Sequence, residues 1–218
     1  MIHSYIITMF KNKKSVEAAK QCAASARKFG FYPSFFEAIT PEDDPVKIFR
    51  EEGLPTINFT DNMYARIKPA MCCFLSHREL WKKCRESNER LLILEHDAVF
   101  KKEIPSDINL HKFVNLGKPS YGQYRIPKHE GIYSLFSKGN GYMPGTHAYM
   151  ITPAAAHELL IHSELNPCHA DLFMNNQTFP FIKEYFPWPI EADDKFTTIQ
   201  KAHGCIAKHN YDSVYEIL

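Results

Sequence analysis

The stretch that most constrains the fold is Arg90–Phe100, RLLILEHDAVF, because Leu91, Leu92, Ile93 and Leu94 are apolar without alternation. A strand with one wet face alternates, so such a run belongs to a strand covered on both faces, as at the centre of a parallel sheet. The segment just before it, MCCFLSHRELWKKCRES, sets Phe74, His77, Leu80, Trp81 and Cys84 on one helical stripe. The amino-terminal end has the same logic. HSYIIT reads as a strand, Val16, Ala19, Cys22, Ala23 and Ala26 recur at helical spacing after Ser15 as the expected cap, Gly30 ends the pattern, and FYPSFFEAI is a second strand. Strand–helix–strand order favours a parallel pair joined by a right-handed crossover.

Further along, TPEDDPVKIFREEGL is turn chemistry followed by a short helix, and PTINFTDNMYARIKPAM has no clear period. HKFVNLGKPS reads as a strand. His147 to Ile151 is another, running into a helix with Thr152 as cap and Pro153 in its first turn. HADLFMNNQ opens a further helix near Asp171, FIKEYFPWPIEAD is a late strand, and the last residues are a peripheral cover. Tyr121 to Met143 stands apart: rich in tyrosine and glycine, without period, it reads as a long functional loop. No repeat or linker divides the chain. The expectation is one α/β domain over residues 1–218, a mixed, mostly parallel sheet flanked by helices. Ligand sites in such sheets lie at the carboxyl ends of the strands, which is where Glu95, His96 and Asp97 fall.

Composition narrows the function. The 218 residues carry a net charge of +1, which weighs against a nucleic-acid partner. No apolar run approaches the ~20 residues of a membrane span, and the start lacks the pattern of a signal peptide. The six cysteines include no CxxC pair, so reduced thiols are expected, with Cys72 and Cys73 as small core residues. These readings point to the cytoplasm, with peripheral attachment at the inner membrane face left open. GxxxxGK[ST], GxGxxG, HExxH and GxSxG are all missing.

Glu95 and Asp97 have two readings. Carboxylates after a strand often cap a helix or make a turn. Here they abut a strongly apolar strand, and in an extended segment residues two apart share a face, so both could reach one cation while His96 faces away. Carboxylates are hard ligands for Mg²⁺ or Mn²⁺, above all for an ion shared with phosphates. Such an ion neutralises a diphosphate leaving group, the chemistry of transfer from nucleotide-sugars.

Several segments in order resemble glycosyltransferase family 25, which includes lipooligosaccharide galactosyltransferases and the collagen galactosyltransferase domain. They are YIIT, FFEAIT, CCFLSHRELWKKC with LLILEHDAVF, FVNLGK, GTHAYMITPAAAHELL and HADLFM, running from about residue 2 to residue 174. The resemblance implies a GT-A type, Rossmann-like fold, with residues 175–218 left as a carboxyl-terminal cover or tail. It implies a metal-dependent, inverting transfer of galactose or glucose from a UDP-sugar to a hydroxyl of a glycan, glycolipid or protein, as in lipopolysaccharide biosynthesis. Glu95-His96-Asp97 takes the place of the family's Glu-Asp-Asp triplet, which makes Asp97 and Glu95 ligands of Mn²⁺ or Mg²⁺. His203 is the late histidine expected to join them, with His209 as its rival. Asp171 becomes the general base, against a helix-cap role. Ser76 and His77 match a Ser-His pair near the nucleotide. Thr8 and Lys11, with Lys13 and Lys14, follow the first strand where the family meets the diphosphate. Gly145, Thr146, His147 and Tyr149 match a Gly-to-Tyr segment near the sugar. Two alternatives stay open: a catalytically silent nucleotide- or glycan-binding relative, motivated by His96 replacing an acid, and a transferase acting on modified DNA bases.

Overall fold

A computed structural model describes residues 2–60, 65–137, 141–193, 196–201 and 216–217. Strands β1 (His3–Thr8) and β2 (Ser34–Glu37) flank helix α1 (Lys13–Arg27). Helices α2 (Pro45–Glu51) and α3 (Ile67–Ser87) lead into β3 (Leu91–Glu95) and the short β4 (Ala98–Phe100). β5 (Phe113–Asn115), β6 (Gly131–Tyr133) and β7 (Ala148–Ile151) precede helices α4 (Pro153–Leu165) and α5 (Ala170–Phe173), followed by β8 (Ile182–Phe186), β9 (Ile190–Ala192) and β10 (Phe196–Thr197).

The main sheet has seven strands in the order β2-β1-β3-β7-β5-β8-β6. β2, β1, β3, β5 and β8 run one way, and β7 and β6 run against them. The expected mixed, mostly parallel sheet is therefore present, and its opening pair β1–β2 is parallel. β3 lies between β1 and β7, and Leu91 to Leu94 are all buried, as the unbroken apolar run requires.

Alternation along β3 divides the core. Leu91 and Ile93 pack with Phe74, Trp81, Tyr149 and Phe173 on the side of α3, α4 and α5, while Leu92 and Leu94 pack with Ala19, Cys22 and Ala23 of α1 on the other side. Glu95 continues the odd-numbered series and so meets α3. The predicted stripe of α3 is buried in full, and the helix starts before Met71, at Ile67.

Local details differ from the sequence reading. The cap of α1 is Asn12, whose side chain accepts from the Lys14 and Ser15 N–H groups; the Ser15 hydroxyl accepts from Met9 N–H instead. Thr152 does cap α4, accepting from Ala155 N–H. The segment expected to be a loop contributes β6 on the far edge of the sheet. Among the described residues no helix is long and apolar enough to cross a membrane.

Candidate active site

Glu95 is the last residue of β3. Its backbone N–H donates to the His147 carbonyl at 2.9 Å, which extends the β3–β7 ladder one step beyond the strand. Its side chain meets α3: Glu95 Oε1 lies 3.0 Å from His77 Nε2 and accepts from the Thr146 hydroxyl at 2.5 Å. On the other side of the imidazole, His77 Nδ1 lies 2.9 Å from the Tyr149 hydroxyl, which accepts from Trp81 Nε1 at 2.9 Å. An indole N–H only donates. Tyr149 can therefore pass its own hydrogen to Nδ1, leaving Nε2–H to donate to Glu95, a tautomer assigned from donor chemistry. The chain Trp81–Tyr149–His77–Glu95 fixes the carboxylate from behind.

Burial alone would raise the Glu95 carboxyl, but the hydrogen bond and electrostatic attraction of the His77 ring, the Thr146 hydroxyl and the nearby His147 overcome it and bring the pKa down to about 2. Glu95 is thus ionised throughout the neutral range. Among the described residues nothing hydrogen-bonds its second oxygen, Oε2, and 26% of the side chain stays exposed, enough to meet a ligand.

Thr146 is delivered to Glu95 by a turn that demands glycine. Gly145 has φ 107°, and a Cβ there would lie 2.7 Å from the Ser120 hydroxyl. Gly117 leaves room for His147 from the other side, since a Cβ there would come within 2.5 Å of His147 Nε2.

Glu95, His77 and Cys73 line one wall of a cavity of about 260 Å³ at the carboxyl ends of β1, β2 and β3. Ile39 and Ile199 add apolar surface, and Asn12 adds its amide. The size is near the low end of small-molecule pockets, ~300–1,000 Å³. Thr198 and Ile199 close one side. Arg66 holds them: its backbone N–H donates to the Ile199 carbonyl at 2.7 Å and its guanidinium donates to the Thr198 carbonyl. His96 also lines the cavity and stacks on Phe196, with ring centroids 5.2 Å apart and planes 7° from parallel.

This corrects the geometry expected from an extended segment. β3 stops at Glu95, and His96–Asp97 form a turn into β4. The two-residue alternation is lost there, so His96 shares the cavity with Glu95, while Asp97 is not among the residues lining it. The Asp97 carbonyl accepts from Asp193 N–H at 2.7 Å, and its charge, after burial, adds to the upward shift of the Cys22 thiol on α1.

Asp171 is the second residue of α5, behind His169 as the capping position, and so is not the cap itself. Its Oδ2 accepts from the Tyr121 hydroxyl, and its Oδ1 accepts from Leu172 N–H at 2.9 Å. Burial drives its pKa up to about 7; the Leu172 N–H pulls against that shift and the Glu95 charge adds to it. Tyr121 stacks on Tyr142 at 6.1 Å, forming an aromatic wall beside Asp171. Glu95 and Asp171 both act on the Cys73 thiol, which burial first and then these charges hold well above its ordinary range.

Ser76 lines the cavity and holds β2 in place, accepting from Ile39 N–H at 2.9 Å. Thr8 is buried, with its hydroxyl donating to the Ile6 carbonyl. Lys11 pairs with Glu42 at 2.8 Å on the surface and does not reach the cavity. His147 and Tyr149 are buried, and Tyr149 acts only through His77. His203 and His209 lie outside the described residues. Sequence reasoning missed Asn12, Arg66, Cys73 and Ile199. The clearest available signal was the four-residue spacing of Cys73 and His77, which puts them one above the other on a helix.

A family model described as glycosyltransferase family 25 (LPS biosynthesis protein) matches residues 1–174. No curated protein matches the sequence. Among solved structures, a Bacillus anthracis protein assigned as a glucose-1-phosphate thymidylyltransferase, in complex with sucrose, is similar at 11% identity and a TM-score of 0.38, over 83% of this chain and 65% of that one.

Proposed function

The chain belongs to glycosyltransferase family 25, and from that premise we propose that it moves a hexose, galactose or glucose, from a UDP-sugar to an acceptor hydroxyl of a glycan, glycolipid or protein, with inversion at the anomeric carbon. One observation carries the reading: two nearby carboxylates are held in opposed states, Glu95 down to about 2 and Asp171 up to about 7. Pairs pushed apart in this way mark a division between a permanent charge and a proton acceptor.

In this reading Asp171 is the base. Near neutral pH its carboxylate takes the proton from the acceptor hydroxyl as that oxygen bonds to the anomeric carbon. The bond from that carbon to the UDP oxygen breaks on the opposite face, and its electrons leave with UDP. The Tyr121 hydroxyl, on Asp171 Oδ2, orients the carboxylate and gives way to or shares with the acceptor. Tyr121 and Tyr142 offer stacked rings for a sugar face. The cavity beside Ile39 and Asn12 takes the nucleotide.

Glu95 fits a hard divalent cation such as Mn²⁺ or Mg²⁺. It is ionised, opens on the cavity, and keeps Oε2 for a ligand, and magnesium-class ions need only one or two carboxylates beside substrate phosphates. The ion would supply charge neutralisation for the diphosphate. The family pattern adds Asp97 and His203 to the ligand set; of these, Asp97 sits in the turn after β3 and does not line the cavity, so Glu95 is the carboxylate placed to meet the ion.

A panel of UDP-sugars with Mn²⁺, followed by NMR of the product anomer, tests the proposal. The expected result is metal-dependent turnover with inverted configuration, lowered roughly 10²–10⁴-fold in Asp171→Asn. Retained configuration, or full activity in Asp171→Asn, would overturn the assignment. UDP binding without turnover on any donor would make the chain a binding relative.

A further inference from the structure

We infer that Cys73, His77 and Glu95 form a soft-metal site that takes Zn²⁺, distinct from the hard-cation role given to Glu95 above. Among the described residues this is the group of metal-binding side chains that converges: one ligand atom from each lies within 4.8 Å of the others. A tetrahedral zinc with bonds of about 2.0–2.3 Å holds its ligands about 3.3–3.8 Å apart. A sulfur–oxygen or sulfur–nitrogen pair sits at about 3.5 Å in that geometry, so the widest pair needs to close by no more than about 1.3 Å, within the reach of side-chain rotation.

Four features support the site. Cys73 and His77 are one helical turn apart on α3, a rigid scaffold, and Glu95 comes from the neighbouring strand end. All three line the cavity, so an ion has an entry path and a fourth position for water. The imidazole already has an outer partner: with Nε2 on the metal, Nδ1–H donates to the Tyr149 hydroxyl, which has a second lone pair beside the one used by Trp81. Metal-bound histidines are commonly oriented in this way. The charges of Glu95, Asp171 and Asp97, which disfavour a free thiolate at Cys73, favour a cation there. A thiolate, an imidazole and a carboxylate select zinc or cobalt over magnesium and calcium.

Binding releases the Cys73 thiol proton, while the imidazole proton moves from Nε2 to Nδ1, with no change of oxidation state. It also withdraws Glu95 from the cavity, so zinc competes with the hard cation and the donor. The site is tested without donor, so its failure is distinguishable from failure of the transfer reading. Cobalt titration of the full chain should give a thiolate-to-cobalt charge-transfer band at one ion per chain. Cys73→Ser should abolish the band and weaken zinc binding roughly 10–100-fold in competition with a chromophoric chelator. Cys72→Ser, the adjacent thiol outside the triad, should leave both intact. In the wild-type chain, zinc but not magnesium should protect Cys73 from alkylation, read by peptide mass mapping, a measurement that does not depend on any variant folding. Absence of the band, its persistence in folded Cys73→Ser, or Cys73 labelling unchanged at saturating zinc would each overturn the proposal.

Discussion

Glu95 and Glu184 are glutamates on strands of one sheet, both drawn into the protein, yet they are held in opposite ways. Glu184 on β8 is fully buried, and its partners are neutral: the Asn115 amide and the Trp188 indole on Oε1, at 3.0 Å each, and Phe136 N–H on Oε2 at 2.8 Å. Burial wins, and these donors only moderate a rise to about 7. Glu95 meets an imidazole and a hydroxyl, keeps one oxygen free, and falls to about 2. What separates them is a partner able to carry positive charge, together with an opening on a cavity. The Glu184 end of the sheet is closed. It ties Phe136 of the aromatic segment to Trp188, against which Tyr124, Phe136 and Phe186 pack edge-on. The Glu95 end is built to hold a charge in reach of a ligand.

Removing each carboxylate should separate structure from chemistry. Glu184→Ala leaves three buried donors without a partner at about 1–3 kcal/mol each, so the loss in urea unfolding at pH 6 should be about 3 kcal/mol or more. Glu95→Ala should lose less in the same experiment, about 1–2 kcal/mol, because the His77 donor it strands lines the cavity, where water can take it. Equal losses at the two positions would erase the contrast.

Activity should reverse that order. Glu95→Gln keeps the shape but removes the charge, and metal-dependent turnover or apparent metal affinity should fall by roughly 10²-fold. Glu184→Gln, assayed beside it, should stay within a few-fold of wild type. A Glu95→Gln chain with undiminished metal dependence would remove Glu95 from the metal's coordination.

These contrasts also mark what the sequence could reveal. The doubly buried β3 and the buried stripe of α3 were legible, because hydrophobic period is local and both elements obey it. Glu95 was legible as a site candidate because a charge at the end of such a strand is costly unless partnered. Its partners were not: Thr146 and Tyr149 arrive through the antiparallel pairing of β7 with β3, a contact between distant segments. The joint reach of Glu95 and Asp97 was not legible: it requires an extended backbone, whereas His96–Asp97 turn so that β4 can pair with β9. Asn12 and Ser15 both suit a helix cap, and the choice between them depends on Met9 N–H, which occupies Ser15. Ile199 enters the cavity through pairing with Arg66, which no local pattern encodes.

Tyr149→Phe probes the support behind Glu95. It removes the hydroxyl between Trp81 and His77, so both nitrogens lose a partner in a buried place, and stability should fall by about 1 kcal/mol. Because Tyr149 touches no ligand, its effect must pass through the imidazole. Metal-dependent UDP binding should weaken about tenfold or less, and its acidic limb should move to higher pH as Glu95 loses the oriented donor that keeps its pKa low. A tenfold loss with no movement of that limb would mean that Tyr149 only packs.

The smallest expected effect is also the most direct reading of the two charge states. A carboxyl whose folded pKa lies above its unfolded value contributes stability that is complete below the unfolded pKa and is lost as pH rises through the folded one. For Glu184 that window runs from the ordinary glutamate value of 4.5 up to about 7. Glu95 is opposite in sign: its contribution is present above 4.5 and lost only as pH falls toward about 2. Between pH 6 and pH 8 Glu95 should therefore be silent, while ionisation of Glu184 should remove about 1 kcal/mol from the stability of the wild-type chain. Asp171, raised to about 7, acts in the same direction. Urea unfolding at the two pH values should show a decline that is smaller in Glu184→Gln and unchanged in Glu95→Gln. A decline reduced by the Glu95 change instead would mean that the imidazole does not hold that carboxylate ionised, and the distinction between the two ends of the sheet would fail.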